Sequence, residues 1–423
     1  MMAEEKSRRE VIALSGAALA AAGLGASQGP SKRLYAYVGR RTVGIPGAGA
    51  AGMGAGGGGG ITVFSVNMAD GSLSEVSRTG PEHDDLNCDG MCVSGDSRLL
   101  YAVIQTPSLG GKRGTGGGVA AFAINRENGS LTHLNTQPSM GANPVGVIVD
   151  KTNSRVLVAN HGEVSFIATV VKRNGVPEVV PLTDDATVAL FPVKPDGSLD
   201  PACDVSVFAP RPRGEEGRSP AAHQVIFDPS QRWAIASDNG SDHLYVYPFN
   251  SRTRTLEGKA FSTPPGKAPR HFAFHPRAPF FFITNEQEAS VSSFHFDSNT
   301  GQVSPVQTTP TTPNGYSGPR VSPSNIAMHP NGKFIYAANR GDDSVAILAI
   351  DEKTGRMTLV DTVKSGGRNT REMGFEPSGR YFYVCNAQSG DVTTFIADAN
   401  TGALTQGPQA KVERAGVIHF AAL

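Results

Sequence analysis

The chain has 423 residues, with 38 Lys+Arg against 38 Asp+Glu, 50 Gly, 29 Pro and four cysteines. The balanced charge gives no basic stripe for nucleic acid and no acidic solvating tail, and four cysteines are too few for a disulfide scaffold. The many glycines and prolines fit a fold of short strands and tight turns better than a helical one.

Residues 1–30 read as a targeting segment outside the fold. Ser7-Arg8-Arg9-Glu10-Val11-Ile12 is a twin-arginine pattern, and Ala13 to Gly25 is an alanine-rich run too short and too mild for a spanning helix. This predicts recognition by the twin-arginine export machinery and a soluble periplasmic or secreted product, free of the membrane once the signal is removed. Residues 31–423 are then one folded domain.

The domain opens on a strand at Leu34–Val38. Gly44 to Gly60 is almost entirely Gly and Ala and reads as a flexible connector. Its Gly47, Gly49 and Gly52 match a dinucleotide fingerprint on paper, but no helix follows, so no nucleotide cofactor is implied. Cys88 and Cys92 have a spacing seen in some metal sites, yet no second Cys/His pair completes a set. Val93–Ile104 and Val147–Asn160 are weak copies of a unit that becomes plain later. The stretch from Glu163 to Ala189 lengthens the third unit by one hairpin. Four clear copies follow at Val225–Asp238, Phe272–Asn285, Ile326–Asn339 and Met373–Asn386: apolar strand, Pro-containing turn, apolar strand, then Asn or Asp. Third and fourth strands are joined by turns such as Asp70-Gly71, Asn128-Gly129, Asp196-Gly197, Thr300-Gly301 and Thr401-Gly402.

A period of roughly 50 residues built of short strands is the signature of a β-propeller. Seven such hairpins predict an all-β, seven-bladed ring. The first unit lacks an inner strand and Gly416–Ala421 reads like the missing one, so the C-terminus is expected to complete the first blade and remove the exposed sheet edges.

The turn prolines Pro229, Pro276, Pro330 and Pro377 set a register. Six residues before the turn position lie Asp89, Val145, His223, Arg270, Ser324 and Arg371; ten after it lie Gln105, His161, Asn239, Glu286, Arg340 and Ala387. The start of one strand and the end of its antiparallel partner share one end of a hairpin, so both sets should gather at one mouth of the channel. The neighbouring Asn160, Asp238, Asn285, Asn339 and Asn386 repeat one residue type and read as turn chemistry. The two outer sets differ from blade to blade, and they predict a cationic pocket holding a carboxylate and an imidazole.

At Pro269-Arg270-His271-Phe272, Thr284-Asn285-Glu286 and the run His329–Gly341 the chain resembles the seven-bladed lactonase family, which includes bacterial 6-phosphogluconolactonases and fungal carboxy-muconate lactonising enzymes. The resemblance spans about residues 31 to 423. It implies His223, Arg270, Glu286 and Arg340 as catalytic residues; Arg371 and His161 from the same two sets, and His271 beside Arg270, are the expected substrate contacts. The substrate implied is a small anionic or sugar lactone, opened by base-activated water. Glu286 and His223 are both candidate bases, and Arg270 and Arg340 would stabilise the oxyanion. A lactone-forming cycloisomerase would use the same groups, and a non-catalytic periplasmic binding or scaffold propeller is the alternative from another class. No metal or other cofactor is expected, because arginines flank the oxygen-bearing side chains. At the last blade Thr370-Arg371-Glu372-Met373 departs from the Pro-Arg-Asn-Phe usual in the family.

Overall fold

A computed structural model describes residues 33–42, 58–112, 114–162, 167–182, 185–208 and 219–423. The targeting segment of residues 1–30 and the Gly47, Gly49 and Gly52 fingerprint lie outside the described residues. Among the described residues no helix is long and apolar enough to cross a membrane.

Arg33–Leu423 forms a ring of seven four-stranded antiparallel sheets. Blade two runs outward through Met91–Val93, Leu99–Ile104, Gly118–Ile124 and Leu131–Pro138. Blade three has Pro144–Val149, Arg155–Asn160, Thr187–Pro192 and Asp204–Val207; between its second and third strands an extra hairpin pairs Ile167–Arg173 with Val176–Leu182. Blades four to seven begin at the inner strands Ala222–Phe227, Pro269–Phe274, Ser322–Met328 and Thr370–Phe375. Blade one is closed as expected. Ala415–Ala422, the last strand of the chain, pairs with Leu34–Arg40 as the innermost strand, followed by Gly60–Val66 and Leu73–Arg78.

Second strands such as Phe280–Asn285 and Tyr381–Asn386 are buried along their whole length, which explains their unbroken apolar runs. The four cysteines are free thiols, and Cys88 and Cys92 pack into different clusters of the core.

Hairpin glycines join blade to blade. Gly71, Gly129, Gly197, Gly301, Gly355 and Gly402 all have φ between +69° and +92°. A Cβ on each would lie 2.2–2.7 Å from Tyr381, Tyr35, Leu99, Trp233, Phe280 and Phe334 respectively, all on the adjoining blade. The missing side chain thus serves the turn and the close approach together. Tyr37, Tyr101, Tyr336 and Tyr383 each donate a buried hydroxyl to the carbonyl of such a glycine at 2.9 Å. Blade four has no glycine in this turn, and there Arg155 Nε donates to Thr253 O at 2.8 Å instead.

Candidate active site

In blades four to seven the ladder between first and second strands breaks at one place: between Ala222 and Val225, Pro269 and Phe272, Pro323 and Ile326, and Thr370 and Met373. Each bulge holds two residues, His223-Gln224, Arg270-His271, Ser324-Asn325 and Arg371-Glu372. A bulge re-aims side chains that a regular strand would send to opposite sides. The backbone groups it frees are met by polar side chains of the second strands. Ser237 Oγ donates to Arg270 O at 2.7 Å and accepts from Gln224 N at 3.1 Å, and Thr284 Oγ1 accepts from His271 N at 3.2 Å.

Glu286 stands between two guanidiniums. Arg340 Nη2 donates to its Oε1, Arg270 Nε lies 3.6 Å from Oε2, and Asn239 Nδ2 donates to Oε2 at 2.8 Å. Arg340 is itself held by Ser322, through the carbonyl at 3.1 Å and the hydroxyl at 2.9 Å, and Arg270 Nη1 donates to Ser324 O. Burial pushes the Glu286 carboxyl up, but Arg270 and Arg340 outweigh it and hold the group down at about 2.

A second carboxylate repeats the arrangement across the seam between blades one, two and seven. Asp89 accepts from Arg371 Nη2 at 2.7 Å and lies 3.4 Å from Arg41 Nε. Burial raises its carboxyl, and Arg371 and Arg41 more than offset the rise.

The imidazoles form a third group. His271 Nε2 lies 3.2 Å from His223 Nδ1, and His271 Nδ1 lies 3.0 Å from Asn325 Nδ2. The ring of His161 meets His223 edge-on at 5.7 Å between centroids. Burial first, and then the charge of Arg270, drive His223 and His271 well below the ordinary imidazole range, so both are neutral at pH 7. His161 is lowered too, chiefly by burial.

The seven site residues expected from the sequence thus fall in neighbouring groups that act on one another electrostatically. His271 has both ring nitrogens engaged by protein, so it contacts other side chains rather than offering a free nitrogen to a ligand. The repeated Asn residues bind strand ends to the incoming connections: Asn160 to Ser139 O, Asn339 to Thr311 O and Asn386 to Ser365 O.

Sequence reasoning missed Arg41, Asn325 and His419, and noted Glu372 only as a departure from the family pattern, without a role. Arg41 follows the strand Leu34–Arg40 just as Glu286 follows Phe280–Asn285, but the first blade has no turn proline to reveal the register. Asn325 and Glu372 are the second residues of their bulges, and strand alternation would hide them. Glu372 lies 3.8 Å from His419, and burial, reinforced by Asp89, pushes its carboxyl up to about 8. Burial takes His419 down to about 4.

Four guanidiniums against the carboxylates of Asp89 and Glu286 leave a net positive site, with neutral imidazoles on one side. The sequence from residue 36 to 420 matches the family described as Lactonase, 7-bladed beta-propeller. The chain belongs to the seven-bladed β-propeller lactonases. Membership places it among lactone-hydrolysing carboxylic ester hydrolases. It is 28% identical over 281 residues to the 6-phosphogluconolactonase of Bacillus subtilis, covering 66% of this chain and 72% of that one. With the 6-phosphogluconolactonase of Formosa agariphila it shares 26% over 330 residues, 75% of this chain and 82% of the relative. Among solved structures, the periplasmic gluconolactonase of Pseudomonas aeruginosa superimposes with a TM-score of 0.74 at 25% identity, covering 92% of this lactonase and 99% of that chain.

Proposed function

We propose that this lactonase hydrolyses a sugar or sugar-acid lactone, using His223 as general base and Arg270 with Arg340 as the oxyanion site. The observation that carries the reading is the contrast between the two candidate bases. Glu286 has both oxygens taken by donors, so they are committed to anchoring the guanidiniums rather than to a water. His223 is neutral, and its Nε2 has no partner among the described residues.

In the proposed step His223 Nε2 takes a proton from water as the oxygen attacks the lactone carbonyl. The developing alkoxide is met by the guanidiniums that Glu286 holds in place. Collapse of the tetrahedral adduct breaks the ring C–O bond, and the proton on His223 passes to the departing ring oxygen. The product is the open hydroxy acid. Arg371, Arg41 and His161 border the site and would hold the remaining oxygens or an anionic group of the substrate.

The twin-arginine pattern at Arg8 and Arg9, together with the likeness to a periplasmic gluconolactonase, supports export by the twin-arginine machinery and action in the periplasm. Replacing both arginines by lysine should leave the protein in the cytoplasm of a bacterial host; unchanged export would remove that part of the reading.

The function is tested by a panel of lactones, glucono-1,5-lactone and its 6-phosphate first, assayed by acid release with and without chelator. Hydrolysis is expected to persist under chelation, since the guanidiniums beside Glu286 and Asp89 repel a divalent cation. A chelator-sensitive reaction, or a folded protein that opens none of the panel, would refute it.

A further inference from the structure

The general-base reading leaves one question of protonation, and the side chains behind His223 answer it. To accept a proton at Nε2, a neutral His223 must carry its ring proton on Nδ1. Nδ1 faces Nε2 of His271 at 3.2 Å. His271 must then accept at Nε2 and carry its own proton on Nδ1. That atom lies 3.0 Å from the carboxamide of Asn325, a residue only 5% exposed. The ends of a carboxamide are distinguished by their partners. Here Oδ1 of Asn325 is buried and has no hydrogen-bond partner, while Nδ2 faces a nitrogen that must donate. Placing Oδ1 on the imidazole gives the oxygen a donor and completes the chain, with Nδ2 taking the buried position where Oδ1 now has no partner.

We propose that Asn325 and His271 are positioning residues, a buried relay that fixes His223 as the tautomer with its Nε2 lone pair free for the attacking water. The proposal rests on the assignment of His223 as base. The relay runs along three adjoining inner strands, Ala222–Phe227, Pro269–Phe274 and Ser322–Met328, and each member sits in the bulge of its strand. When His223 takes the proton, its Nδ1–H becomes a charge-assisted donor to His271, which steadies the imidazolium without a carboxylate bonded to either ring.

The neutrality of the relay suits its surroundings. Arg270, His271, His161 and Arg371 act on His223; Arg270, Arg371, Glu286 and Arg340 act on His271. An amide orients the ring without adding a charge beside the ion pairs of Glu286 and Asp89.

The direct test is the tautomeric state of the ten histidines in protein labelled with ¹⁵N-histidine, read by long-range ¹H–¹⁵N correlation. His223→Gln and His271→Gln spectra identify the two signals. Both rings should be neutral and protonated on Nδ1 at pH 7; a proton on Nε2 of His223 overturns the proposal. Kinetics on glucono-1,5-lactone supply a second readout. Asn325→Leu should lower kcat by about tenfold or more, with KM changed less than about twofold, because only the base is misdirected. Asn325→Asp keeps an acceptor, so it should recover most of kcat and move the acidic limb of the kcat/KM profile to higher pH. Leu and Asp variants that behave alike would reduce Asn325 to a packing residue and sink the relay. Should His223→Gln retain full turnover, the base assignment itself fails. Loss of turnover in His223→Gln with Asn325→Leu unaffected would remove only the relay.

Discussion

Glu286 and His223 sit in the same site with opposite assignments, and the division follows from what surrounds each. Two guanidiniums and an amide saturate the carboxylate, while burial keeps the imidazole uncharged. The acidic limb of kcat/KM should therefore lie below the ordinary imidazole value of about 6.5 and belong to the histidines. Glu286→Gln should lower kcat by about a hundredfold through loss of guanidinium alignment and leave that limb in place; disappearance of the limb would return the base to Glu286. Glu372 supplies a second test at this scale. Its folded value of about 8 stands above the ordinary 4.5. The folded state thus holds the proton more tightly than the unfolded chain, and stability falls as pH rises from about 4.5 through 8. Glu372→Gln removes that loss. Its melting temperature should match wild type at pH 4.5 and exceed it by several degrees at pH 9; an equal gap at both pH values would contradict the account.

Between neighbouring elements, the hairpin glycines explain why the turns are so regular. Gly402 has φ +76°, and a Cβ there would sit 2.6 Å from Phe334. Gly402→Ala should therefore cost more than Tyr383→Phe, which removes only the hydroxyl bond to Gly71 O and should destabilise by about 1–2 kcal/mol. Chemical denaturation of both variants checks the order. The turn role of these glycines was legible in the sequence; their docking onto Tyr381, Trp233 or Phe334 was not, because it depends on blades distant along the chain. The bulges were hidden for a related reason. A pattern of apolar residues reports strand alternation, and the break at Arg270-His271 or Ser324-Asn325 shows only in the lost register. The first residues of the bulges were recognisable as a column, whereas Asn325 was passed over and Glu372 was noticed only as a departure from Pro-Arg-Asn-Phe.

The ring as a whole joins residues that are remote in sequence, and its closing strand is what makes the site continuous. Ala415–Ala422 pairs with Leu34–Arg40, and just beyond that pair Arg41 reaches Asp89 beside Arg371. The repeat period and the orphan strand at the C-terminus made the closed propeller readable in advance, and the register placed His223, Arg270, Glu286 and Arg340 at one mouth. Arg41 escaped because its blade is assembled from both ends of the chain and offers no turn proline to count from. Truncation after Glu413 should expose the edge of Leu34–Arg40, broaden thermal unfolding and abolish lactone opening, as followed by calorimetry and acid release; a truncated protein that melts sharply and stays active would show closure to be dispensable. The central claim is that this closure builds a cationic, imidazole-bearing site for opening lactones. Initial rates of glucono-1,5-lactone hydrolysis by the wild type and Arg270→Ala, compared with the uncatalysed rate, test it most directly. The wild type should accelerate acid release and the variant should fall by at least about tenfold in kcat/KM; equal rates for the two proteins would contradict it.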